Sequence, residues 1–308
     1  MGKLMKAFFF KTSKDIAFRV TLIIGAATAL LMTGIYAILD LAFTGAGAEL
    51  EGIKFLSGQS MLLTSFSPTQ NFGIAISINL IIFIYLEFSQ GTIRNKIIAG
   101  HSKLEIYSSL YLSGLVYAFA ILLAYVGLCT VLGSIFGGFN PRGMVISLSG
   151  SGTGYANPEY IIKFVVAALF AYTSLVSFTV FIVTTFRNIG PSIPVIYVVP
   201  LILYLIAIFI NSAYIGALEV YNGELVAVAQ GAQYDIAQTE QVVKTFEIVN
   251  NISKCVNPFH AIAVTNTTEE SKLVMDNITF FGSIGGNLAW AGIFYGFGCL
   301  EFIKRDIK

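Results

Sequence analysis

Six long apolar runs, separated by polar stretches of very unequal length, set the pattern of this chain. They fall near 20–39, 72–88, 106–136, 160–186, 193–210 and 280–303. About 20 apolar residues suffice to cross a bilayer core, so each run predicts a membrane-spanning helix, the second being the shortest. The third is too long to stand upright and should tilt or project. In the fifth, Pro200 removes a backbone hydrogen bond and predicts a kink. Asn79 lies near the middle of the second run. An amide at that depth needs a partner, either a neighbouring helix or a transported molecule.

Composition agrees with this pattern. Hydrophobic residues make up 56% of the chain and charged residues 11%, against about a quarter charged in soluble domains. The net charge of +1 is uninformative, but its distribution orients the spans. Lys3, Lys6, Lys11, Lys14, Arg19, Arg94, Lys96, Lys103, Arg187, Lys304, Arg305 and Lys308 fall in alternate, mostly short segments, 12 of the 18 basic residues. The positive-inside bias puts those segments, and both termini, in the cytoplasm. The basic residues form no stripe, which argues against nucleic-acid binding. Three cysteines and two distant histidines give neither a disulfide framework nor a metal-ligand spacing.

The polar segments carry the remaining expectations. Residues 1–19 mix lysines with Phe8, Phe9 and Phe10 and predict a basic interfacial helix. The largest polar region, 211–277, is assigned to the outside. Within it Val242, Phe246, Val249 and Ile252 predict a surface helix from Thr239 to Val256, stopped by Pro258. The run GSGTG at 150–154 lacks the following Gly-Lys-Ser/Thr of a phosphate loop and reads as a flexible loop with no strand before it. Gly282, Gly286, Gly292 and Gly296 form small-residue pairs suited to close helix packing, within one chain or between two.

One inner segment stands apart. Glu87 to Tyr107 reads EFSQGTIRNKIIAGHSKLEIY. Gly91 and Gly100 bracket a stretch of about two helical turns. Ile93, Ile97 and Ile98 share one side of it, with Arg94 and Asn95 turned elsewhere. The pattern draws a short amphipathic helix across the mouth of two spans. The string E-x(3)-GTIRNKI-x(2)-G-x-S-x(3)-IY resembles the loop between the second and third spans of ABC type 2 exporter permeases, of the stand-alone Gram-positive bacterial type. The motif covers about 20 residues, and the six-span layout agrees over the whole chain.

That resemblance implies an all-α, multi-pass subunit of the bacterial plasma membrane that exports peptide, lipid or drug-like cargo. It implies a separate ABC ATPase holding ATP and magnesium, with no catalytic residue or cofactor in this chain. It also implies a second permease as dimer partner. The coupling residues would be Glu87, Gly91, Thr92, Arg94, Asn95, Lys96, Gly100 and His101, and Asn79 and Pro200 would flank the translocation path. The first helix would lie on the inner leaflet beside the ATPase. Two other classes stand beside this one: a secondary carrier, weakened because the spans lack acidic, Arg or His residues near mid-depth, and a sensor or scaffold that binds a ligand through 211–277.

Overall fold

The structure, a computed structural model, describes residues 10, 16–45, 56–66, 73–139, 145–146, 153–156, 158–230, 232, 234, 236–263, 266–267 and 272–305. The helix expected over 1–19 lies outside the described residues, apart from the isolated Phe10 and the start of the first long helix. In chain order the helices are α1 (Ile16–Gly45), α2 (Gly58–Ser65), α3 (Gly73–Ser89), α4 (Thr92–Ile98), α5 (Lys103–Gly137), α6 (Pro158–Phe186), α7 (Ile189–Ala229), α8 (Ile236–Val256), α9 (His260–Ala263) and α10 (Asn277–Lys304). Four of them are long and apolar enough to cross a membrane: Phe18–Ala42, Lys103–Gly137, Pro158–Phe186 and Ile189–Ala229. The bent pair Ile76–Ser89 and Thr92–Ile98 would make a fifth. The protein is a helical membrane protein. The helix α10 covers the sixth predicted span with 28 residues, but Gly282, Gly285, Gly286, Asn287 and Glu301 dilute its apolar character, and it is not among the four.

Local chemistry explains several of the boundaries. Ser102 caps α5 by accepting from Glu105 N at 3.2 Å, while its own amide donates to Glu105 Oε2 at 3.3 Å; this reciprocal capping box starts the helix. Pro158 opens α6 at the position where its missing N–H costs nothing. Asn188 caps α7, its Oδ1 accepting from Gly190 N at 3.1 Å. Arg187 turns the chain between α6 and α7 with a left-handed φ of 50°.

The helix ends sort into two groups. At one end Arg187 lies over the Phe88 ring at 5.7 Å, and Phe88 meets Phe302 edge-on. Thr185 Oγ1 donates to Glu301 Oε2 at 2.6 Å, and Arg305 Nη1 donates to Thr185 O at 2.6 Å. Lys103 Nζ donates to the carbonyls of Ile303 and Arg305 at 2.9 and 3.0 Å. The basic segments around 87–107, 187 and 304–305 therefore meet at one end of the bundle. At the other end α2 clasps the end of α5: Gly58 N donates to Gly138 O at 3.0 Å, and Leu56 N to Asp40 Oδ2 at 2.9 Å.

One expectation for the polar segments needs correction. Residues 145–146 and 153–156 form β1 and β2, which with β3 (Asn266–Thr267) and β4 (Lys272–Val274) make a four-stranded sheet in the order β1-β2-β4-β3. A strand thus precedes the GSGTG run, and Thr153 and Gly154 are paired with Ile146 and Val145. Strands of two to four residues leave no periodic trace in a sequence. For 211–277 the structure shows how the segment packs. Residues 211–229 prolong α7 into a single helix of 41 residues through Pro194 and Pro200, and the predicted surface helix, here α8, runs back along it. Thr239 Oγ1 bonds Glu224 Oε2 at 2.6 Å, Asn250 Nδ2 bonds Asn211 Oδ1 at 3.4 Å, and Asn257 Nδ2 bonds Leu203 O at 2.7 Å.

The α8–α9 segment therefore descends to the level of Leu203 in α7 and packs into the bundle. There Trp290 Nε1 donates to Val256 O at 2.7 Å. Gly282 and Gly286 of α10 admit it: a Cβ on Gly286 would stand 1.9 Å from Cys255 O. Gly292 and Gly296 have nothing within 4 Å of that position. Among the described residues, therefore, only the first glycine pair serves packing within the chain.

Candidate functional site

The conspicuous construction is the α3–α4–α5 turn. The helix α3 ends at Ser89, and Gly91 occupies the left-handed region at φ 67°, a conformation that a side chain makes costly by about 1 kcal/mol. The chain then restarts as α4, bent by 51° from α3. Asn95 N donates to Gly91 O at 3.0 Å, so Gly91 is both stop and cap. Gly100, at φ 88°, ends α4 in the same way, with Gly100 N donating to Ile97 O and His101 N to Lys96 O.

Two contacts fasten α4 against the bundle. Ile93 is buried in the core. Lys96 Nζ sits 2.8 Å from Glu87 Oε2, with the glutamate side chain 1% exposed and the lysine 15%. A buried carboxylate requires such a partner. Thr92 is half-buried at the first turn, and His101 Nδ1 lies 3.6 Å from Glu105 Oε2 on the partly exposed start of α5. What faces outward is Arg94, Asn95 and Ile98, the last 75% exposed, with Leu104 of α5 half exposed beside the turn. The expected roles divide accordingly: Arg94 is an outward cation, whereas Lys96 is turned inward to Glu87. The three isoleucines divide as well, Ile93 inward and Ile98 outward. Ile98 and Leu104 thus leave a small exposed apolar patch with a cation and an amide near it.

Comparison with protein-family models, curated proteins and solved structures finds no match for this chain.

The two path candidates lie elsewhere and are not brought together with α4. Asn79 Oδ1 accepts from Thr21 Oγ1 of α1 at 2.6 Å, which is the helix-to-helix partner its depth demanded. Pro200 is buried in α7 and lines a cavity of about 210 Å³ between α6, α7, α10 and the 258–259 turn. Among the described residues no three His, Cys, Asp or Glu side chains are placed to share a metal ion.

Two polar centres in the bundle were missed from sequence. Asn287, buried in α10, accepts from Ser174 Oγ of α6 at 2.7 Å and donates to Pro258 O at 3.1 Å and Ser283 O at 2.9 Å. It ties the tip of the descending segment to two long helices. An amide within an apolar run was the available signal, as for Asn79. His260, placed outside by its polar neighbourhood, is fully buried. Its Nδ1 lies 3.0 Å from Ser253 Oγ, and its Nε2 has no hydrogen-bond partner. Nearby Lys254 Nζ pairs with Asp276 Oδ2 at 3.2 Å, and Thr279 donates to the other Asp276 oxygen. Burial, reinforced by the Lys254 ammonium and opposed by Asp276, pushes the imidazole down to about 4. His260 is therefore neutral around pH 7.

Proposed function

We infer that this chain is the membrane subunit of an ATP-driven exporter of the ABC type 2 kind, with six spans and both termini cytoplasmic. The observation that carries the inference is the α3–α4–α5 turn. A seven-residue helix is bent across the end of the bundle, bound to it through Ile93 and the Glu87–Lys96 pair, and exposes Arg94, Asn95 and Ile98. A rigid attachment on one side and a docking patch on the other are what a lever needs. A soluble ATPase that binds there moves α3 and α5 together, because α4 cannot shift without them. Lys103 extends the connection to the end of α10. The outward cycle then follows as a population shift: nucleotide closes the ATPase dimer, and the two levers approach.

The sixth span is assigned to α10, whose ends meet the end of α6 through Glu301 and Thr185. The positive-inside bias of the segments gathered at the α4 end assigns that end to the cytoplasm, and the resemblance to stand-alone Gram-positive permeases is what puts the protein in a bacterial plasma membrane. A second permease as dimer partner belongs to the same reading, as do Asn79 and Pro200 beside the path. The cargo class is peptide, lipid or drug-like.

Purified in mild detergent from its own cells, the chain is expected to carry ATP hydrolysis activity through its partner. After reconstitution into liposomes, that activity should persist when ionophores collapse proton and sodium gradients. A preparation without hydrolysis, whose transport stops with the gradient, would belong to a secondary carrier instead.

A further inference from the structure

The cavity beside Pro200 lies at a particular depth. With about 1.5 Å of rise per residue, Leu203 and Val199 stand about 21 and 15 Å above the start of α7 at Ile189. On α10, Trp290 and Phe294 stand about 21 and 15 Å from Lys304. With Ile189 and Lys304 taken at one surface of a hydrocarbon core about 30 Å thick, these levels fall near its middle.

Its walls are apolar and largely aromatic: Phe178, Phe259, Trp290 and Phe294, with Leu175 and Leu203. The one hydroxyl among the lining residues, on Ser174, is engaged with Asn287 Oδ1 at 2.7 Å. The Trp290 N–H is likewise given to Val256 O. No lining donor remains to recognise a polar ligand. The roof is the 258–259 turn, held by the bond from Asn287 to Pro258 O. Val199, 38% exposed, is the one lining residue classed as exposed, and Val198 and Ile202 of the same stretch of α7 are also exposed, which places the way in on that side.

We propose that this cavity seats the terminal part of one acyl chain of a bilayer phospholipid, entering sideways past Val199. The occupant follows from location and chemistry together. At that depth an opening toward the bilayer meets lipid hydrocarbon, and the apolar walls match it in chemistry. Size is compatible: an apolar cavity of about 150 Å³ takes up benzene, and this one measures about 210 Å³. The seated chain would wedge between α7 and the descending α8–α9 segment, so lipid composition would act on the position of that segment. The proposal rests on the assignment of α7 and α10 as spans made above, and it stands or falls separately from the ATPase partner.

Trp290 is the only tryptophan in the chain, so the fluorescence has a single source, on the wall of this cavity. The purified full-length protein in detergent is titrated with phosphatidylcholine carrying a dibrominated chain, at low mole fraction. The expected result is quenching that saturates at one lipid per chain. It should be stronger for bromines near the chain end than near the glycerol, and reversed by unbrominated lipid. Val199→Phe at the mouth and Leu203→Phe in the wall should each weaken the apparent affinity at least threefold; whichever keeps the wild-type melting temperature gives the reading. Quenching that rises in proportion to lipid without saturation and is equal in the variants would overturn the proposal. So would saturable quenching by free dibromostearic acid alone, or none at all.

Discussion

Arg94→Glu is expected to leave the protein folded and to abolish its recovery with an ATPase subunit, whereas Lys96→Glu should fail at folding. The two cations are neighbours in sequence and differ in what they touch. Arg94 is exposed on α4, and a surface substitution away from packing contacts changes stability by about 0.5 kcal/mol or less. On the proposed reading its reversal acts on the docking of a partner, where a cation facing an opposite charge steers association and excludes wrong registers. Lys96 is bonded to Glu87, whose side chain is 1% exposed. Placing a second carboxylate there leaves a buried charge opposed instead of paired, a change costing about 3–5 kcal/mol. Most of the stability of an ordinary domain is of that order. The measurement is a melting curve in detergent beside an affinity pull-down for each variant. If Arg94→Glu retains the ATPase at wild-type yield, the outward face of α4 is not the docking surface. A charge reversal at both positions together would confuse the two effects.

A second large effect is expected from pH. His260 ionises near 6.5 in an unfolded chain but only at about 4 in the folded protein, because burial and Lys254 both resist its proton. Between these values the unfolded state binds a proton that the folded state does not, so stability falls as pH drops below 6.5. The loss is complete near pH 4 and amounts to about 3 kcal/mol. Above pH 6.5 the histidine contributes no slope. Thermal unfolding between pH 4 and 8 should show this decline, and His260→Gln should remove about that much of it while leaving the contribution of the carboxylates. An unaltered slope in the variant would mean that the imidazole is hydrated in the folded protein. The region most sensitive to acid should be the α8–α9 segment, since Ser253, Lys254 and Asp276 all face the same cluster.

The parts legible in the sequence are those set by local rules. Gly91 and Gly100 marked both ends of α4, because only glycine takes a left-handed turn cheaply. The apolar runs marked the long helices, and the valine and phenylalanine spacing marked α8. What stayed hidden depends on contacts between distant residues. Polar composition marked 211–277 as a polar region but not how it packs: Asn250, Asn257 and Asn287 find their partners on other elements, and that satisfaction lets the segment lie against the bundle. The buried Glu87–Lys96 pair shows the same limit. A loop composition reports two basic residues; only the fold tells which one is already engaged. The strand pairs were invisible for another reason, being too short for any alternation to register.

The central claim is that the outward face of α4 meets a nucleotide-hydrolysing subunit. A photo-activatable residue at Ile98, 75% exposed and outside the core, tests it in living cells. The account predicts one dominant light-dependent adduct whose second component is an ATP-binding protein, lost on Arg94→Glu. An adduct with lipid or with an extracellular protein, unaffected by that substitution, would contradict it.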